Sequence, residues 1–255
     1  MPGSWKTVEA RAIDLSVLIP TYNEAANIRR TAEATLAWLR RQVMTWELLL
    51  VDDGSTDGTP TIERELAAGE AGIRHLPCSP NRGKGYVVRH GMLAAAGDIR
   101  LFLDADYSTP IDEFERLLPL IASGCDIAIG TRRVPDARIE TRPPAHRHIL
   151  GELYVKLARG ILRSRLTDFN CGFKAFRGHA AERLFSLSRR NDWSFDAEVL
   201  VLAERLGYRI GEAPVRWAHV QATSKVRPVR DGWRSLVALF QIGRDIRLGR
   251  YPGVR

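Results

Sequence analysis

Apolar residues in the first half of the chain fall in short, nearly unbroken runs. Asp14–Pro20 (DLSVLIP), Trp46–Val51 (WELLLV), Ile99–Leu103 (IRLFL) and Ile127–Gly130 (IAIG) are strand-length and too short for buried helices. A shorter strand is predicted at Ile73–Leu76. Between these runs the spacing becomes helical: Ile28, Ala32, Leu36 and Leu39 mark a helix within 25–41, and further helices are predicted near 59–68 and over 84–96. Continuous apolar strands alternating with helices predict an α/β fold, a mostly parallel twisted sheet with helices on both faces.

The second half has a different texture. Residues 134–148 are rich in Pro, Arg and His and read as a mobile loop. An amphipathic helix is predicted over 151–165, with Leu153, Leu157 and Ile161 on its apolar face, and further helices at 179–188 and 195–206. From about residue 231, Trp233, Leu236, Val237 and Phe240 repeat at helical spacing. Most of that face is expected to pack on the core, leaving the arginines for an anionic membrane surface. No apolar run approaches the ~20 residues that cross a bilayer, and the first residues lack a signal-peptide core. The expectation is a cytoplasmic protein, at most peripheral on the membrane. Cys78, Cys125 and Cys171 form no CxxC pair and are expected to be reduced thiols.

Charge sharpens this division. The net charge is +8, but residues 132–165 carry nine Arg/Lys against three Asp/Glu, and 227–255 carry seven Arg against two Asp. Both basic segments lie in the second half, which suits an anionic partner. Nucleic acid is disfavoured, because acidic groups occupy the predicted ligand rim and no aromatic-basic RNA motif is present.

Ligands of parallel α/β sheets sit at the carboxyl ends of strands. Asn23-Glu24, Asp52-Asp53 and Asp104-Ala105-Asp106 all follow predicted strands. Carboxylates at i and i+2 share a side and repel unless a cation stands between them. Their hard oxygens suit Mg²⁺ or Mn²⁺, with a diphosphate completing the shell. Asp53 can accept hydrogen bonds from a base or ribose, while Asp52 suits turn capping. Asn81-Arg82-Gly83-Lys84-Gly85 opens a helix and suits phosphate, with Lys84 as the cation. The Walker spacing and GxGxxG are both absent, which excludes a P-loop and disfavours a dinucleotide cofactor.

Val17-Leu18-Ile19-Pro20-Thr21-Tyr22-Asn23-Glu24, the Val51–Thr59 segment VDDGSTDGT, Asn81–Gly85, Asp104–Asp106 and Gly130-Thr131-Arg132 occur in order. Together they resemble the family 2 glycosyltransferases. Thr167–Lys174 (TDFNCGFK), Trp193–Glu198 (WSFDAE) and Ser224-Lys225 are similar to the dolichyl-phosphate or polyprenyl-phosphate β-glucosyltransferase branch. The resemblance implies a GT-A fold over 14–225, divided into a nucleotide-sugar half (14–130) and an acceptor half (131–225), followed by a basic amphipathic helix over 226–255. It implies an inverting hexosyltransferase using a nucleotide sugar, UDP-glucose by preference, with a polyprenyl phosphate acceptor. Pro20, Tyr22, Glu24, Val51 and Asp53 would then contact the nucleoside. Asp104 and Asp106 would hold metal and diphosphate, Arg132 a donor or acceptor phosphate, and Lys225 would be the cation of a flexible C-terminal loop. Ser108 stands where mannosyl relatives often place a glutamine ligand. Val220–Thr223 replaces the arginines that precede their lysine, which leans toward the glucosyl branch.

An ionised phosphate acceptor needs cationic positioning, from Arg132 with Arg133, Arg138, Arg142 or Arg147, rather than a base. A hydroxyl acceptor needs a base, for which Asp168 ranks before Asp196; an ion pair from Asp168 to Lys174 or a neighbouring arginine is the competing reading. The rival functions are a family 2 enzyme with a soluble hydroxyl acceptor, a mannosyltransferase using GDP-mannose, and a catalytically silent nucleotide-sugar sensor, against which the intact Asp-x-Asp argues.

Overall fold

The computed structural model describes residues 12–220 and 228–254. Along the chain run β1 (Leu15–Thr21), α1 (Ile28–Leu39), β2 (Trp46–Asp52), α2 (Thr59–Gly69), β3 (Ile73–Pro77), α3 (Lys84–Ala94) and β4 (Ile99–Leu103). A 3-10 turn at Ile111–Glu113 leads into α4 (Phe114–Ala122), β5 (Ile127–Thr131), β6 (Arg138–Thr141) and α5 (Ala145–Leu162). Then follow β7 (Phe173–Arg177), α6 (Gly178–Leu187), α7 (Phe195–Arg205), β8 (Ile210–Pro214), β9 (Arg216–Ala218) and α8 (Pro228–Arg247).

Seven strands form one sheet in the order β3-β2-β1-β4-β7-β5-β8. All neighbours are parallel except β7, which runs antiparallel between β4 and β5. β6 and β9 make a small parallel pair of their own. The sheet's apolar runs have no polar face because both sides are covered. Val17, Ile19, Leu48, Leu50, Leu101 and Leu103 pack beneath α1 and α4. Leu18, Leu49, Val51 and Phe102 point the other way, toward α3, α6 and α7. Side chains alternate across each strand, so one run feeds two cores.

The second half departs from the pattern read in the sequence. The 134–148 segment holds β6 and the first turn of α5, and Pro144 caps that helix with extended backbone. Proline is compatible with a helix start, where the missing N–H is not needed. The buried face of α5 is Val155, Ala158 and Leu162, while the predicted Leu153 is exposed. α8 likewise buries a stripe other than the predicted one, although Leu236 of the predicted face packs against the core. It buries Ala238, Leu239, Ile242 and Ile246, and turns Trp233, Val237 and Phe240 outward. α8 packs on α5 and α7. Its Leu239 and Ile242 share a core with Leu18 and Phe102, as does Tyr251 beyond it.

α3 lies so close to the sheet that a Cβ at Gly91 would stand 1.8 Å from Leu18 Cδ1 and 2.9 Å from Val51 Cγ2. Gly91→Ala should therefore overpack this face and cost about 1–3 kcal/mol, read as a lower urea midpoint at unchanged slope.

Candidate active site

Because β1, β2, β4 and β5 are parallel, their carboxyl ends share one rim, and antiparallel β7 begins on that same rim. Five loops therefore converge: 22–24, 53–58, 104–110, 131–133 and 166–172.

On the β1–β2 side, Asn23 has φ 51° and its Oδ1 accepts from Thr56 N–H at 2.8 Å. Ser55 Oγ accepts from Asn23 N–H at 2.8 Å and donates to Asp52. Asp52 also accepts from Ser55 N–H, the capping role expected for it. Glu24 anchors through its own N–H to Thr59 Oγ1, 2.8 Å, while its carboxylate accepts from Asn27 at 2.7 Å. Tyr22 is exposed at the rim. Pro20 and Val51 are buried in the sheet beneath it.

Asp53 is nearly buried and engaged on both oxygens. It accepts from Asn81 Nδ2 (2.8 Å), Arg82 N–H (2.8 Å) and Gly83 N–H (2.7 Å). Burial raises its pKa against these bonds. Its first task is thus to fold back the 81–83 loop. The loop is braced from behind as well. Gly83 has φ +100°, and a Cβ there would meet Asn191 O at 2.4 Å. Gly85 N–H donates to that same carbonyl at 2.8 Å. The 188–191 segment is held in turn by buried Glu198, which accepts from Ser188 Oγ, Arg189 N–H, Arg190 N–H and Tyr251 OH.

The Asp-x-Asp backbone is fixed by the Thr31 hydroxyl, which donates to Ala105 O at 2.7 Å, and by Asp104 N–H to Gly172 O at 3.2 Å. Asp106 accepts from Ser108 N–H at 2.9 Å, and Tyr107 between them has φ 58°. Ser108 O accepts from Ala218 N–H at 2.9 Å, tying β9 to the turn. Lys84 Nζ lies 2.6 Å from Asp104 Oδ1 and 5.0 Å from the Trp193 ring centroid. Burial, then the charge of Asp104, raises the pKa of Asp106. Among the described residues no cluster of three or more His, Cys, Asp or Glu side chains is gathered for a metal.

The β5–β7 side is organised by ion pairs. Arg132 Nε and Nη2 make a fork on Asp168 at 2.7 and 2.9 Å, and Asp168 is fully buried. Burial favours the protonated acid, yet Arg132 overcomes it and holds the Asp168 carboxyl down at about 2. Asp168 is thus ion-paired with an arginine, and its partner comes from the end of β5 rather than from Lys174. Asp196, the other base candidate, is buried against Lys174 Nζ at 2.6 Å. Trp217 lies beneath the Arg132 guanidinium, 5.1 Å from Cζ to ring centroid. Arg133 pairs with Glu152. Lys225 lies outside the described residues. Lys174, offered in sequence as a partner for Asp168, pairs with Asp196 instead; Trp193 entered only as part of its motif, and Trp217 carries no sequence signal that would pair it with Arg132.

Residues 16–185 match the family model described as glycosyl transferase family 2. The chain is 37% identical over 225 residues to glycosyltransferase AglD of Haloferax volcanii, covering 87% of this chain and 36% of that one. It is 34% identical over 215 residues to dolichyl-phosphate beta-glucosyltransferase ALG5C of Trichomonas vaginalis, covering 80% and 63% respectively. The chain thus spans about a third and under two thirds of these two relatives. Glucosyl-3-phosphoglycerate synthase from Mycobacterium tuberculosis, solved with Mn²⁺, UDP-glucose and phosphoglyceric acid, superposes with a TM-score of 0.67 at 20% identity, over 91% of this chain and 80% of that one. The fold is therefore the GT-A fold.

Asp168→Asn should leave the part-buried Arg132 charge without its buried partner, at a cost of about 3 kcal/mol at pH 7. Because the folded carboxyl titrates near 2, below its ordinary ~3.9, its contribution is complete above about pH 4 and vanishes toward pH 2. Urea midpoints of the two proteins should accordingly converge as pH falls through that window.

Proposed function

The chain belongs to glycosyl transferase family 2, and from that membership we propose that it is an inverting hexosyltransferase moving glucose from UDP-glucose to a polyprenyl or dolichyl phosphate. The observation that carries the acceptor class is the state of the two base candidates. Asp168 is locked on Arg132 and Asp196 on Lys174, both out of solvent. A hydroxyl acceptor must surrender a proton; a phosphate is already ionised and needs only a cationic seat.

In this reading Tyr22, Glu24 and Asp53 face the nucleoside, with Pro20 and Val51 as the floor beneath it. Lys84 and the start of α3 meet the diphosphate, and Lys225, outside the described residues, is a further donor-binding cation in this reading. Arg132 keeps Nη1 for the acceptor phosphate while its other nitrogens hold Asp168. An acceptor phosphate oxygen attacks the anomeric carbon in line. The bond from that carbon to the nucleoside diphosphate's terminal oxygen breaks, its electron pair leaves on the diphosphate, and no proton moves. Asp104 and Asp106 are hard oxygen donors whose mutual repulsion favours a cation, so they fit Mg²⁺ or Mn²⁺ drawing its other ligands from diphosphate. When bound, the ion neutralises charge developing on the leaving group.

The second basic segment supports a membrane-side acceptor. Ile149, Leu150 and Leu153 on α5, and Trp233, Val237 and Phe240 on α8, are exposed, with Trp233 at 68%. The two helices pack together and lie in the most basic stretches of the chain. Exposed aromatics among arginines suit an anionic lipid surface. Among the described residues no helix is long and apolar enough to cross a membrane.

Purified protein should glucosylate a short-chain polyprenyl phosphate from UDP-glucose with Mg²⁺ or Mn²⁺ present, and Asp106→Ala should abolish this while melting like its parent. Faster transfer to a hydroxyl acceptor, or from GDP-mannose, would replace the proposal. Trp233→Ala combined with Phe240→Ala should reduce co-flotation with phosphatidylserine vesicles several-fold and leave turnover of a soluble short-chain acceptor intact.

A further inference from the structure

Lys84 occupies an unexpected position for a cation. It is the first residue of α3, the end of a helix where the backbone dipole disfavours positive charge. Its backbone has no freedom to move away. Asp53 grips the two preceding N–H groups, and Cβ atoms at Gly83 and Gly85 would collide with the carbonyls of Asn191 and Arg190, each at 2.4 Å. Its ammonium is set between the Trp193 ring at 5.0 Å and Asp104 Oδ1 at 2.6 Å. Asp104 is one of only two carboxylates in the Asp-x-Asp triplet, and no third acidic, His or Cys side chain joins them among the described residues.

We propose that Lys84 is an internal counter-ion that competes with the divalent metal for Asp104, so that the metal is held firmly only after a nucleoside diphosphate has drawn the ammonium away. The proposal rests on the transferase reading of the site and adds an order of assembly to it. Without nucleotide, an approaching metal meets two carboxylates, one already neutralised, and a positive charge within a few ångströms. A diphosphate changes both conditions. It offers the ammonium and the adjoining helix N-terminus a better anion, which releases Asp104 Oδ1, and it brings oxygen ligands of its own. Trp193 keeps the ammonium near the rim while it changes partner. Coupling of this kind is reciprocal: metal must strengthen nucleotide binding by the factor by which nucleotide strengthens metal binding.

The test is Mn²⁺ binding to the whole protein, read from the electron paramagnetic resonance signal of free Mn²⁺, with and without saturating UDP. Lys84→Met should bind Mn²⁺ about tenfold more tightly than the parent in the absence of UDP, since a nearby like charge is removed. It should also bind UDP more weakly in Mn²⁺-free titration calorimetry, and the enhancement of Mn²⁺ affinity by UDP should shrink. Lys84→Gln, which keeps a donor for Asp104 but no charge, serves if the methionine variant does not fold, and should move the same way. Unchanged or weaker Mn²⁺ binding by the folded variant without UDP overturns the counter-ion role, even where the parent binds Mn²⁺ with UDP and transfers sugar. Absence of Mn²⁺ binding by the parent with UDP overturns the metal site and the counter-ion role together.

Discussion

The site depends on matching negative charge that the sheet topology forces together. Parallel strands deliver Asp53, Asp104 and Asp106 to one rim, and β7 brings Asp168 beside them. Asp106 accepts from Ser108 N–H in its own turn, and the other acids are matched by groups from different elements. Lys84 at the start of α3 meets Asp104, Arg132 after β5 meets Asp168, and Lys174 on β7 meets Asp196. Asp53 is satisfied by backbone N–H groups instead. Buried carboxylates without such partners would take up protons or unfold the rim.

The antiparallel strand is the topological device that makes this possible. β7 pairs Leu103 with Phe173 and Ile129 with Lys174. The segment before it must therefore arrive exactly where β4 and β5 end. That places Gly172 O against the Asp104 N–H and Asp168 under Arg132. A further parallel strand in that slot would have carried 166–172 to the opposite edge of the sheet.

The first half of this arrangement was legible because its signals are local. A strand buried on both faces is a continuous apolar run, and a motif at its end inherits the rim. The second half was less so. Leu153 and Trp233 sit at helical spacing with other apolar residues, which identifies a helix but not which of two apolar stripes faces inward; Val155, Ala158 and Leu162 form the competing stripe on α5. β6 and β9 are too short and polar to show a period. The role of Asp168 turned on Arg132, thirty-six positions earlier, and no spacing rule links residues across β5 and β7.

Tyr251 closes a path that begins at the far end of the chain. Its hydroxyl donates to Glu198 at 2.6 Å, Glu198 shapes 188–191, and the carbonyls of Asn191 and Arg190 leave room only for glycine at positions 83 and 85 respectively. The loop and the segment after α8 are thereby mechanically joined. Removing the tyrosine hydroxyl would take away one of the bonds that hold Glu198, and so would act on the 83–85 loop through the 188–191 segment.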